Sequence, residues 1–125
     1  MFKLGQKVRA KPTDPEIVKL TNMYLTAEEF RVVAALPAAL LDKTRWQARW
    51  HGRTIAIDQF HGRLDGLLLA EVELGAADAR LPWPSYTVRD VTNDDRFSGG
   101  ALAFPEDAVI ESLLSDVRAA CRPAP

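Results

Sequence analysis

A single cysteine, Cys121, leaves this 125-residue chain without an internal disulfide. Near the chain end it reads as an inert small residue rather than a nucleophile. Histidine is almost as scarce: His51 and His61 each precede a glycine and lack the close spacing of a zinc pair, so both read as turn or surface residues. No apolar run approaches the ~20 residues of a membrane span, and the N-terminal "MFKLGQKVRA" lacks the apolar stretch of a signal peptide. The cytoplasm is the expected location. A Gly-rich phosphate loop, an internal repeat and a low-complexity linker are all missing. The chain also lacks an excess of either charge. Sixteen Lys and Arg stand against seventeen Asp and Glu, which argues against a duplex-binding protein whose affinity comes from phosphate neutralisation. Any anion site must be local.

What is present fits one domain over residues 1–125, long enough to bury about two-thirds of its unfolded surface. Two helices are legible. Thr26 followed by Glu29 is a capping box, Leu25 and Phe30 are placed for a hydrophobic staple, and Pro37 closes the segment, so a short helix is predicted at about 27–36. Near the C-terminus, Pro105 suits a first helical position, and Glu106 and Asp107 favour the positive end of the dipole. Val109, Ile110, Leu113, Leu114 and Val117 make one apolar face, which predicts a helix at 106–121 packed on a sheet. The tail "RPAP" is expected to fray.

The strands carry more chemistry, because a period of two lets each face be read separately. In "FKLGQKVRA", Lys3, Gly5, Lys7 and Arg9 share a face opposite Phe2, Leu4 and Val8. In "DKTRWQARW", Lys43, Arg45, Gln47 and Arg49 share one face, while Thr44, Trp46, Ala48 and Trp50 take the other, the two tryptophans expected under a helix. In "LLLAEVEL", Glu71 and Glu73 lie together about 6.6 Å apart along the strand, with Ala70, Val72 and Leu74 pointing away. Two readings follow. Either the charged faces are the wet side of an antiparallel sheet, or the sheet curls so that they line a concave surface. There, Lys and Arg would take a polyanion and the carboxylates a hard cation, Mg²⁺ or Mn²⁺, that bridges to phosphate. Aromatics beside basic residues would also suit single-stranded nucleic acid, but the alternate faces argue for tryptophan packing instead.

The ordered set "LPAALLDKTRWQARW", "IAIDQFHGRLDGLLLAEVEL" and "PWPSYTVRDVTNDDRFSGGAL" resembles the second half to two-thirds of a CYTH domain, the family of triphosphate tunnel metalloenzymes. Upstream, "KLGQK" and "LTNMYLTAEEF" resemble the family's middle strands and connecting helix. The resemblance implies an α+β fold in which a curved antiparallel sheet of five or six strands forms an incomplete tunnel-like barrel with helices packed outside. It further implies metal-dependent hydrolysis of an inorganic or organic triphosphate, or alternatively a non-catalytic polyphosphate-binding module. By position, Lys7, Arg9, Lys43, Arg45 and Arg96 become substrate ligands and Asp58 an orienting residue. Glu71 and Glu73 become catalytic and metal-binding carboxylates, joined at the metal by Asp90, which stands where the family usually has Glu. The family's Glu-x-Glu-x-Lys strand is absent, so the chain is expected to begin at about the fourth strand, truncated or reduced. The strand edge left bare is expected to recruit a second copy as a homodimer.

Overall fold

In a computed structural model, residues 1–11, 14–73 and 82–121 are described. The "RPAP" tail and Leu74, the end of the third strand reading, lie outside them. The chain divides into two compact units, Met1–Leu40 with Val91–Asp95 and Leu41–Asp90 with Arg96–Pro125. No helix among the described residues is long and apolar enough to cross a membrane.

In the first unit, β1 (Phe2–Lys11) pairs antiparallel with β2 (Asp14–Leu25), with Lys3 opposite Tyr24 and Lys7 opposite Leu20. The chain then enters α1 (Ala27–Ala34) through the expected capping box. The Glu29 amide donates to Thr26 Oγ1 at 3.2 Å, and the Thr26 amide donates to Glu29 Oε2 at 2.8 Å, which satisfies two of the donors a helix start leaves orphaned. Phe30, at the staple position, stacks on Phe2 with ring centroids 4.4 Å apart. Phe2 is the cross-strand partner of Leu25, so the staple draws in both strands. The helix stops at Ala34, short of residue 36, and a tighter bond from the Leu36 amide to the Val33 carbonyl carries the last turn toward Pro37.

The second unit holds a three-stranded antiparallel sheet in the order β3 (Lys43–Trp50), β4 (Arg53–Phe60), β5 (Leu68–Val72). The two residues between β3 and β4, His51 and Gly52, both have positive φ, 46° and 74°. That is the backbone of the tight hairpin whose twist matches its strands, and it sets the whole β3–β4 register. A single 3-10 turn, Gly62–Leu64, leads from β4 toward β5. Two helices complete the unit, the short α2 (Gly99–Ala103), capped by Ser98 Oγ, and α3 (Asp107–Ala120). Ile55, Phe60, Leu64, Leu67, Phe97, Leu102, Ile110 and Leu113 form the core.

The α+β class holds, with five strands, but among the described residues they make two separate antiparallel sheets and no closed barrel. Three further expectations are corrected. Pro105 is not the first helical residue: Phe104 ends α2 and Glu106 takes an extended cap conformation, so α3 starts at Asp107. Of the apolar face expected for α3, Ile110 and Leu113 are buried, in a helix that packs beside the 3-10 turn, but Val109 is exposed. Trp46 is not covered by a helix but 58% exposed, because it sits on the edge strand of the three-stranded sheet, whereas Trp50 at the hairpin is half-buried.

Candidate functional site

Register assembles the site. Residues directly opposite in an antiparallel ladder share a face, and β4 pairs Asp58 with both Arg45 on β3 and Leu69 on β5, and Ala56 with both Gln47 and Glu71. One face of the sheet therefore carries Lys43, Arg45, Asp58 and Glu71. Lys43 Nζ donates to Asp58 Oδ2 at 2.5 Å, while Arg45 grips the same carboxylate as a fork, Nε to Oδ1 at 2.6 Å and Nη2 to Oδ2 at 2.7 Å. Arg45 Nη2 also donates diagonally across β4, past the small Ala56, to Glu71 Oε2 at 2.8 Å.

Burial separates the two carboxylates. Asp58 is 1% exposed and Glu71 54%. A buried carboxylate persists as an anion only when paired and hydrogen-bonded. The Arg45 fork, with Lys43 beside it, holds the Asp58 carboxyl below its usual range, against the upward push of its burial. In return the bonds to Asp58 raise the Arg45 guanidinium above its already high value. Lys43 Nζ also lies 5.6 Å from the ring centroid of Phe60, its cross-strand partner, within reach of the attraction between a cation and an aromatic face. The Phe60 contact was not anticipated, although its cross-strand position opposite Lys43 follows once the hairpin register is known.

The remaining residues singled out from the sequence are placed as follows. Glu73 is exposed immediately past the end of β5, one residue beyond the ladder. Asp90 is exposed in a segment without strand structure. Arg96 Nη1 donates to Asp116 Oδ2 on α3 at 3.2 Å, so a helix carboxylate takes up that cation. In the first unit, Lys7 is exposed on β1 opposite Leu20; Arg9 is opposite Val18, and its side chain lies outside the described residues. His51 belongs to the hairpin turn, and His61 Nε2 is 2.8 Å from Thr44 Oγ1, on the sheet face opposite Arg45.

A divalent cation is the cofactor the resemblance implies. Among the described residues no group of three or more His, Cys, Asp or Glu could hold one. Glu71 and Glu73 offer hard oxygen donors of the kind Mg²⁺ takes when phosphate completes its shell. Among the described residues the donor set therefore fits a cation that arrives with an anion.

Over 63 residues, 50% of this chain, the sequence is 34% identical to an inorganic triphosphatase of Acetivibrio thermocellus. The matched stretch spans 40% of that relative's length. No family model and no solved structure matches.

Proposed function

We propose that the chain binds a triphosphate compound and hydrolyses it with the help of a divalent cation, as a single CYTH-like domain whose strands form part of a tunnel. The observation that supports this reading is the gathering of Lys43, Arg45, Asp58 and Glu71 on one sheet face, and the partial similarity to an inorganic triphosphatase agrees with it. In this reading Lys43 and Arg45, with Lys7, Arg9 and Arg96, neutralise the phosphates, and Asp58 orients the first two. Glu71 and Glu73, with Asp90, hold Mg²⁺ or Mn²⁺, and one Glu carboxylate orients the water that attacks the terminal phosphoryl group. A bound cation supplies charge neutralisation at the phosphate oxygens. Self-association through an unpaired strand edge completes the tunnel, and the cytoplasm is the proposed location.

Phosphate release from inorganic tripolyphosphate in Mg²⁺ or Mn²⁺ tests the activity, and calorimetry tests the ligand class. Several basic side chains without a base-reading pocket should favour tripolyphosphate over a nucleoside monophosphate. Equal affinity for the two would refute the reading. Light scattering that shows only monomer over a wide concentration range would refute the association.

A second reading is a triphosphate-binding module without turnover, which needs the basic side chains of Lys43 and Arg45 on the sheet face but no attack on the bound anion. Tight tripolyphosphate binding without phosphate release would select it.

A further inference from the structure

The two carboxylates on Arg45 differ in what it takes to remove them. Asp58 is closed from solvent and held by three bonds, so exchanging it would strand a buried charge. Glu71 sits on a different strand, more than half exposed, and reaches Arg45 through one bond from Nη2. An exposed pair of this kind contributes at most about 1 kcal/mol, so it opens readily. Its carboxylate nevertheless occupies the guanidinium position that a phosphate oxygen would take, and Arg45 is itself 41% exposed, open to a ligand from solvent.

Resting on the reading above, we infer that Glu71 is a built-in competitor of the anion: a latch on Arg45 that must swing away, or be drawn off, before phosphate is bound well. An incoming anion that displaces Glu71 loses the energy of the ion pair; one that docks beside it meets a like charge a few ångströms away. Either course lowers affinity for the free anion. A cation that draws Glu71 toward itself removes both penalties, and by reciprocity the anion raises affinity for the cation. The face is thereby set against metal-free phosphate and in favour of the metal complex.

The test is calorimetric titration of the full chain with inorganic tripolyphosphate in chelator, for wild type, Glu71→Gln, Glu71→Ala and Glu111→Gln. Glu111 is exposed on α3, so its variant carries the same change in net charge away from the face. Both Glu71 variants should bind about three- to tenfold more tightly than wild type, with the gain shrinking at high ionic strength, while Glu111→Gln stays within about twofold. With Mg²⁺ added, wild type should gain affinity and Glu71→Gln should not. Metal-free binding by Glu71→Gln no tighter than wild type, or an equal gain in Glu111→Gln, would overturn the latch and leave the triphosphate-binding reading standing. Absence of tripolyphosphate binding by wild type and Glu71→Gln, with and without Mg²⁺, would overturn that reading and the latch with it.

Discussion

Replacing Asp58 with Asn tests the organisation of the charged face most directly. The change keeps size and shape but removes a buried charge, turns one oxygen into a donor that faces Lys43 or Arg45, and breaks up the fork. Breaking a fully buried ion pair by deleting one partner costs about 3–5 kcal/mol. Here the orphaned partners are 33% and 41% exposed and can turn toward water, so the lower figure for lost hydrogen bonds to charged groups applies, about 2–3 kcal/mol in total. At roughly 3–6 °C per kcal/mol for a domain of this size, the melting temperature should fall by about 10 °C at pH 7. The deficit should also depend on pH. Because the folded carboxyl titrates below its unfolded value, Asp58 contributes stability that is fully present above about pH 4, the unfolded pKa, and is lost as pH falls through the lower folded value. Wild type and variant should therefore differ by a constant amount from pH 5 to 8 and converge below pH 4. Denaturant unfolding followed by circular dichroism across that range measures the difference. Equal midpoints at pH 7, or a deficit that persists unchanged into acid, would refute the assigned role.

Lys43→Ala should weaken tripolyphosphate binding by about tenfold in calorimetry while the fold persists, because the Arg45 fork still satisfies Asp58, whereas Arg45→Ala should weaken binding and also lower the denaturation midpoint. Glu73→Gln should reduce Mg²⁺-dependent tripolyphosphate affinity by about tenfold, read by titration with and without Mg²⁺; an unchanged response would remove Glu73 from the metal set. His51→Gly should raise stability by about 0.5–1 kcal/mol, since φ of 46° suits glycine better than a side chain, and Gly52→Ala, at φ of 74°, should lower it by about 1 kcal/mol, both read as shifts in urea midpoint. Thr26→Ala should cost about 1 kcal/mol by the same measurement, because the Glu29 amide loses its acceptor.

Local signals were legible where the physics is local. Thr26 and Glu29 foretold α1 to within two residues because a capping box is completed within four residues. The spacing of Ile110 and Leu113 foretold α3, although its start was placed one residue early, at Glu106 instead of Asp107. The five-residue α2 went unread, since "GGALA" begins with two poor helix formers and owes its start to the Ser98 cap. Alternation put Lys43, Arg45, Gln47 and Arg49 on one face, and the β3–β4 register agrees. Trp46 was misjudged for a different reason: alternation names a face, and coverage of that face depends on where the strand lies in the sheet.

Sequence by itself determined the segregation of charge in the three strands read for it, the Thr26–Glu29 capping box and the turn role of His51 before Gly52, all of which follow from side-chain periodicity and backbone stereochemistry within a few residues. Only the tertiary structure decided which charges meet. Asp58 lies opposite Arg45 rather than one position along, and Glu71 lies diagonal to it across β4, because two ladders chose those registers; a slip of one residue in either would have sent the carboxylate to the other face. The same pairing closed Asp58 from solvent and left Glu71 open to it, so that one carboxylate holds the basic residues in place while the other can let go.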